Sequence, residues 1–361
     1  MLQNSKKKIC IIVDCLSGGG AEKQAANFSK SLHKYGFLVA IISLKDQVTY
    51  EYEGELYNLG QRESSIKIIK QVQKFLAFKK AYKKCNADMY IDFRSRSRFL
   101  MEYALHKFIF EANKMIMMVH SYQIEWHIPK GNIFKKIYNN THAVVAVSEA
   151  IEEKLNHLYA FKNQLYIPNY ITTEKREEIT TLKMQDDYII AVGRLQNDIK
   201  QFDRLIETYH ASKLADKNIK LYVCGDGSDK KSLEKLISTL QLEQHVKLLG
   251  FVENVSDYIR YAKFLVLSSR VEGFPMVLIE ALQQKTPVIS FDCKSGPSEI
   301  IQHKINGLLV EDQNFAKLKE AMILLIENLD LYAICEQNAL SSIKKFTEIP
   351  TIQKWIELIT T

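Results

Sequence analysis

The sequence lacks an apolar run long enough to cross a membrane. A transmembrane helix needs about 18 or more consecutive apolar residues, and no stretch of this chain comes near that length. The basic start, Lys6–Lys8, and the apolar run Ile9–Val13 resemble a signal peptide, but Asp14 ends the run too early for one. We therefore predict a first β-strand at Ile9–Val13 and a cytoplasmic protein.

Paired cysteine motifs, internal repeats and low-complexity segments are also missing. The six cysteines are scattered and form no C-x-x-C pair, which is typical of reduced cytosolic thiols and not of a disulfide framework or a zinc site. Apolar burial must then stabilise the fold, and 47% of the 361 residues are hydrophobic. A chain of this length predicts roughly two domains.

Acidic residues are scarce in the first half of the chain. Residues 1–172 contain 25 lysines and arginines against 15 acidic residues, whereas residues 173–361 contain 24 against 27. This asymmetry predicts that the first half meets an anionic surface or substrate. An ordinary solvated basic surface remains the alternative.

Short apolar runs alternate with amphipathic stretches along the whole chain, with one polar interruption at 172–186. This alternation predicts parallel sheets with right-handed crossovers. We predict an α/β protein of two doubly wound, Rossmann-like domains that face each other across a cleft. The boundary falls at 172/173, and ligands are expected at the carboxyl ends of the strands.

The stretch Val271–Leu282 carries the clearest site pattern. A buried strand is predicted just before it, Glu272-Gly273-Phe274 forms a loop, and a helix is predicted to begin at Pro275. The free N–H groups of a helix N-terminus bind anions. Glu272 and Glu280 then make sense as ligands for hydroxyl groups that flank a phosphate, as in a nucleotide-sugar.

Two groups of residues follow strands in the first half. Gly18, Gly19 and Gly20 open a helix after the first strand, which suits close approach to a phosphate or acceptor group. A tight turn and a dinucleotide fingerprint are the alternatives, although Lys23 stands where the fingerprint has its third glycine. Arginines alternate with serines after another strand, which suits phosphate binding; they are Arg94, Arg96 and Arg98.

Four more candidates follow strands: His120, Arg194, Lys200 and Gly225. Taken alone, the two cations are as typical of a surface pair, and the glycine of a plain turn. The basic helix predicted over Ser65–Lys84 could lie on an anionic membrane or be an ordinary amphipathic surface helix.

The motifs, in their order along the chain, resemble those of the retaining GT-B glycosyltransferases of family 4. The matching segments cover nearly the whole chain: Gly18-Gly19-Gly20-Ala21-Glu22, His120, Val145–Glu149, Ile167–Asn169, Gly193-Arg194-Leu195 with Lys200, Gly225-Asp226-Gly227, Leu249–Val252, Glu272 with Glu280, and Asn306–Val310. The Glu-x7-Glu context is quite specific, whereas the glycine loops are not.

The resemblance implies a role for each site residue. Arg194 and Lys200 would bind the donor diphosphate, Glu280 the ribose, and Glu272 the sugar, with His120 beside the transferred sugar. The implied donor-binding backbone positions are Gly225, Val252, Gly273, Phe274, Pro275 and Met276. Transfer would retain the anomeric configuration without a metal or cofactor. The step from Arg194 to Lys200 is six residues where the family usually has five, which makes Lys200 the least secure assignment.

The expected function is transfer of a hexose or N-acetylhexosamine from a UDP-sugar to a lipid-linked or lipopolysaccharide-type glycan, at the inner face of the cell membrane. The resemblance also places residues 346–361 as a helix that returns to the first domain, so that the second domain spans 173–345. No nucleic acid partner is expected. The alternatives are a soluble transferase for a small phosphorylated acceptor, a non-catalytic sugar-nucleotide-binding subunit, and a nicotinamide oxidoreductase.

Overall fold

The computed structural model describes residues 6–60, 67–172 and 186–361. The chain forms two compact units. The first contains Met1–Thr172 together with Glu348–Thr361, and the second contains Thr173–Thr347. The polar linker predicted at 172–186 falls almost wholly outside the described residues.

The first unit is built on a parallel sheet of seven strands in the order β3-β2-β1-β4-β5-β6-β7. The strands are β1 (Lys8–Val13), β2 (Leu38–Ser43), β3 (Glu55–Asn58), β4 (Met89–Asp92), β5 (Met115–Val119), β6 (Ala143–Ala146) and β7 (Gln164–Tyr166). The helices between them are α1 (Gly20–Lys34), α2 (Lys67–Cys85), α3 (Phe99–Phe108), α4 (Asn132–Asn139) and α5 (Glu149–Leu158).

The second unit is built on a parallel sheet of six strands in the order β10-β9-β8-β11-β12-β13. The strands are β8 (Asp187–Val192), β9 (Ile219–Cys224), β10 (Val246–Gly250), β11 (Leu265–Leu267), β12 (Val288–Phe291) and β13 (Gly307–Val310). The helices are α6 (Asn197–Lys200), α7 (Phe202–Ser212), α8 (Lys230–Thr239), α9 (Val255–Tyr261), α10 (Met276–Gln283), α11 (Pro297–Ile300), α12 (Phe315–Glu327) and α13 (Leu329–Ser342).

The last helix, α14 (Glu348–Thr360), lies in the first unit. Its Trp355 is buried, with its ring centroid 4.8 Å from that of Phe28 on α1. Glu348 forms a salt bridge with Lys34 at the end of α1, with 2.9 Å between Glu348 Oε2 and Lys34 Nζ. Apolar packing and one ion pair therefore attach the end of the chain to its first helix.

The predicted fold class, two Rossmann-like parallel sheets, is confirmed. The interior strands are β-branched and apolar, as parallel strands covered on both faces require. Strand β3 was not predicted, because its sequence Glu-Leu-Tyr-Asn is short, polar at both ends and only partly buried at the sheet edge. In the described ranges no helix combines the length and apolarity needed to cross a membrane.

Strand order fixes where a site can form in each unit. In the first sheet β1 lies between β2 and β4, and in the second β8 lies between β9 and β11. The connections leave to opposite sides at these points, and ligands of open α/β sheets bind in the resulting crevice at the carboxyl ends of the strands. The loops after β1, β4, β8 and β11 therefore hold the best-placed residues.

Candidate functional site

The loops after β8 and β11 bring Lys200 and Glu272 together. The Lys200 Nζ lies 2.5 Å from Glu272 Oε1, and both side chains are mostly buried. Lys200 ends the short helix α6, a single turn that carries its side chain back toward the strand ends. The six-residue spacing from Arg194, which weakened the assignment of Lys200, therefore does not keep this lysine out of the site.

The main chain around Lys200 is bonded to the loop after β11. The Ser268 hydroxyl donates to the Lys200 carbonyl at 2.8 Å, and the Arg270 N–H donates to the Ile199 carbonyl at 2.8 Å. A side chain at Gly193 would have its Cβ only 3.2 Å from the Lys200 Cε, so the lysine stem lies directly over this glycine. These contacts fix the position of the ammonium group.

The segment just before α11 is hydrogen-bonded to the loop that precedes α10. The Ser295 hydroxyl donates to the Gly273 carbonyl at 2.8 Å. The helix begins at Met276, one residue later than predicted, so Pro275 is its N-cap and not its first residue. Phe274 is buried, with its ring 5.1 Å from that of Phe346. Ser295 was not predicted as part of this site; its only sequence signal is the Ser-Gly-Pro start of α11.

Arg194 and Glu280 flank the Lys200–Glu272 pair along the chain. Arg194 is exposed in the loop after β8, and Glu280 is half-buried in the second turn of α10. The structure therefore leaves the Arg194 guanidinium accessible. Glu280 lies in the middle of α10, one turn beyond the N-terminal N–H groups that favour anions.

Gly225 is needed for contact between two loops. Its φ is +142°, and a Cβ there would lie 1.8 Å from the Gly193 carbonyl oxygen. Its N–H donates to the Gly250 carbonyl at 2.7 Å. The loops after β8, β9 and β10 therefore meet at Gly225, with the half-buried Val252 two residues beyond Gly250.

The phosphate-binding prediction is wrong for Arg94, whose guanidinium lies in the interior of the first unit. Arg94 is 3% exposed and bonds to both Asp92 and Glu102, with salt-bridge distances of 2.7 and 3.2 Å. Burial alone would disfavour the Asp92 charge, but Arg94 and Arg96 reverse that effect and lower its pKa. Burial raises the pKa of Glu102.

The prediction is also wrong for Arg96, which is fully buried and bonds to main-chain carbonyls. Its guanidinium donates to the carbonyls of Asp92, Arg94, Met118 and His127. Arg96 thereby ties the loop after β4 to the loop after β5. These carbonyls engage four of its five N–H groups, and its full burial keeps the guanidinium away from a phosphate in the cleft of the sheet.

Arg98 and the glycine loop lie at the surface, and their contact with a phosphate or acceptor stays a prediction. Arg98 is exposed just before α3. A Cβ at Gly18 or Gly20 would meet nothing within 4 Å, and Gly18 has a φ of +76°. A Cβ at Gly19 would lie 2.1 Å from Glu22 Oε2, so a carboxylate sits over this loop.

His120 ends β5 with its ring stacked on Phe93, at a centroid distance of 4.8 Å. Neither ring nitrogen is exposed to solvent or has a hydrogen-bond partner among the residues that the structure describes. Burial lowers the pKa of His120 to about 3, and the charge of Arg96 adds to the shift. His120 is therefore neutral near pH 7, with one donor and one acceptor unused.

We expect the first unit to lose stability as the pH falls from 7.5 to 5.5. Burial lowers the pKa of His106 and of His120 to about 3, and that of His127 well below its usual 6.5. The unfolded chain then binds more protons than the folded one between about pH 6.5 and 3, so each histidine costs up to about 1.4 kcal/mol per pH unit on acidification. Urea unfolding followed by tryptophan fluorescence isolates this unit, because both tryptophans of the chain, Trp126 and Trp355, belong to it.

A variant and a matched control test how strongly the stability of the first unit depends on pH. His120→Asn should make the slope shallower, whereas His157→Asn should leave it unchanged, because His157 is exposed on α5. Equal stability of the wild-type protein at pH 5.5 and 7.5 would contradict the burial of these rings as neutral groups.

Residues 172–342 match the family model described as Glycosyl transferases group 1. The match covers 171 of the 361 residues, which are nearly all of the second unit. The matched range includes Arg194, Lys200, Glu272 and Glu280. The amylovoran biosynthesis glycosyltransferase AmsD of Erwinia amylovora is 28% identical over 318 residues, which are 85% of this chain and 86% of AmsD.

A second relative matches over almost its full length. It is the N-acetylgalactosamine-N,N'-diacetylbacillosaminyl-diphospho-undecaprenol 4-alpha-N-acetylgalactosaminyltransferase of Campylobacter jejuni, 28% identical over 95% of this chain and 96% of that protein. The crystal structure of a TarM variant from S. aureus, with Fondaparinux, alpha-GlcNAc-glycerol and UDP, has a TM-score of 0.80 at 16% identity, covering 98% of this chain and 100% of that one. Identity this low shows the GT-B fold alone.

Proposed function

We propose that this glycosyltransferase moves a hexose or N-acetylhexosamine from a UDP-sugar to a lipid-linked or polysaccharide glycan, with retention of the anomeric configuration. The Lys200–Glu272 pair, held between the loops after β8 and β11, is the observation that carries the proposal. Departure of a nucleoside diphosphate builds negative charge, and a sugar brings hydroxyl groups. The fixed cation can stabilise the charge on the diphosphate, and the fixed carboxylate beside it can accept hydrogen bonds from the sugar hydroxyl groups.

Each donor-side group has a task that its position allows. Lys200 and Arg194 stabilise the charge that develops on the leaving diphosphate. The N-terminal N–H groups of α10, reached through Gly273, Phe274, Pro275 and Met276, take up further negative charge. Glu272 accepts hydrogen bonds from the transferred sugar, and Glu280 accepts them from the ribose.

The acceptor proposal rests on the relatives and on the first unit. AmsD is described as an enzyme of amylovoran biosynthesis, and the C. jejuni relative as a transferase to a diphospho-undecaprenol glycan. In this chain, the Glu22 carboxylate over Gly19 suits glycan hydroxyl groups better than phosphate, because like charges repel. His120 keeps its proposed place beside the transferred sugar, and its two buried ring nitrogens would have to become accessible before they could exchange hydrogen bonds with that sugar.

Catalysis is proposed to need no metal. Across 6–60, 67–172 and 186–361, no three His, Cys, Asp or Glu side chains are grouped so that they could hold a metal ion. Lys200 and Arg194 would supply the charge stabilisation that a metal supplies in other transferases. Activity should therefore persist in excess EDTA.

A thermal-shift screen of UDP-, GDP- and ADP-sugars tests the donor. A bound donor at a hundredfold excess over its dissociation constant stabilises the fold by about 2.7 kcal/mol, so UDP-sugars should raise Tm and the others should not. The preferred donor is then incubated with a polyprenyl-diphosphate-linked saccharide, and the product anomer is read by NMR. An equal shift with all three nucleotides, or an inverted product, would refute the corresponding part of the proposal.

A further inference from the structure

An open apolar groove runs between α2 and α3 in the first unit. Its volume is about 620 Å³. The lining from α2 includes Val72, Phe75 and Leu76, and that from α3 includes Leu100, Met101 and Phe108. We call this the α2–α3 groove. The proposed reaction gives no task to its apolar side chains.

The groove is apolar at the very surface of the protein. Leu100 is 81% exposed, Leu76 and Phe108 are each 58% exposed, and Val72 is 55% exposed. Single exposed apolar residues are normal, but a contiguous set on two neighbouring helices marks an interaction site.

Cations surround this groove, and acids are almost absent from its two helices. Helix α2 contains seven lysines and no acidic residue. The single acid of α3, Glu102, is buried against Arg94. Arg98 lines the groove where α3 begins. Lys79 and Lys80 stand one turn beyond Phe75 and Leu76, on the same side of α2.

The far end of α3 adds another cation. The Lys107 Nζ lies 5.5 Å from the ring centroid of Phe108, a groove residue. The groove therefore combines exposed aliphatic and aromatic side chains with a positive rim at both ends of α3. This is the pattern of a helix surface that lies in the interface of a bilayer, with apolar side chains at the acyl boundary and cations among the head groups.

We propose that the α2–α3 groove is the membrane-docking site of this chain and that its partner is an anionic phospholipid bilayer. Apolar side chains of the groove contact the acyl boundary, Arg98 binds lipid phosphate, and Lys79 and Lys80 of α2 face the anionic head groups. Charge complementarity selects this partner: each lysine near an anionic leaflet contributes to binding, whereas an apolar protein partner would gain nothing from a rim of one sign. The inference rests on the proposed function, whose lipid-linked acceptor would lie in the same bilayer.

Vesicle co-sedimentation tests the docking site. The full chain should bind vesicles of phosphatidylglycerol and phosphatidylcholine at low salt, bind pure phosphatidylcholine weakly, and dissociate from the anionic vesicles at high salt. Leu100→Asn should lower the partition coefficient about tenfold, because a leucine side chain leaves the acyl boundary. Lys79→Gln with Lys80→Gln should lower it about thirtyfold.

Matched variants in the second unit serve as controls. Leu329, at the start of α13, is 75% exposed, so Leu329→Asn matches Leu100→Asn. Lys231→Gln with Lys235→Gln on α8 matches the lysine pair. Equal binding of the wild-type protein to neutral and anionic vesicles, or an equal loss of binding in variant and control, would overturn the docking site.

The thermal shift with a UDP-sugar is measured on the same samples. A normal shift without vesicle binding refutes the docking site alone, whereas the absence of a shift in the wild-type protein refutes the donor proposal.

Discussion

Lys200→Met should lower the turnover number of this glycosyltransferase by about 10²- to 10³-fold, the usual cost of removing one preorganised group that stabilises transition-state charge. Methionine keeps an unbranched stem that can still cover Gly193, where the lysine Cε lies against the backbone. The change therefore removes the charge and little packing. Initial rates of UDP release at saturating donor and acceptor give the turnover number.

Two further variants separate charge from geometry at this position. Lys200→Arg keeps the charge but cannot reproduce the 2.5 Å contact of the ammonium with Glu272, because the planar guanidinium places its donors differently; we expect an intermediate rate. Lys235→Met, on the exposed face of α8, should change the rate less than twofold. A Lys200→Met enzyme with more than a third of the wild-type turnover would remove Lys200 from the catalytic groups.

The sequence predicted the two sheets because each interior strand is a short apolar run whose neighbours are amphipathic helices. Where this contrast is weak, the prediction fails. Glu55–Asn58 is polar at its ends and pairs with β2 on one side only, so nothing local distinguishes it from a loop. Tertiary contact makes β3 a strand, as is common for edge positions whose β-propensity is low.

A site residue could be placed from the sequence only where its partner is close to it along the chain. Glu272 and Glu280 lie within one loop and the helix that follows it, so the placement of Glu272 before α10 and of Glu280 on α10 could be predicted. Lys200 and Glu272 are 72 positions apart, and only the folded chain shows their contact. The alternation of arginine with serine suggested exposed cations, but it does not reveal that Arg94 turns inward. One signal was present: Asp92 ends an apolar strand, and a buried carboxylate requires a cation.

Arg94→Met should destabilise the first unit by about 3–5 kcal/mol at pH 7.5, the cost of removing one partner of a buried ion pair. Asp92 and Glu102 would remain buried. Arg96, whose Nη1 lies 3.6 Å from Asp92 Oδ1, would then be a more distant cation for Asp92 than Arg94 was. Urea unfolding followed by the fluorescence of Trp126 and Trp355 measures this loss in the first unit alone.

The Arg94→Met loss should shrink as the pH falls toward about 4.5, because the two buried carboxylates can escape their cost by protonation. Without Arg94 the folded-state pKa of Asp92 rises above that of the unfolded chain and that of Glu102 rises further. The folded variant then binds more protons at these two groups, so their contribution to stability becomes more favourable on acidification. In the wild-type protein the effect of Asp92 on stability changes with pH in the opposite direction. Because its pKa is lowered in the folded state, its charge stabilises the fold at neutral pH, and this contribution is lost as the pH falls to the folded-state pKa. Lys30→Met is the control in the same unit: it breaks a salt bridge to the exposed Glu51 and should cost about 1 kcal/mol or less at either pH. An Arg94→Met loss that is small, or equal at pH 7.5 and 4.5, would mean that the Asp92 and Glu102 charges do not depend on this arginine.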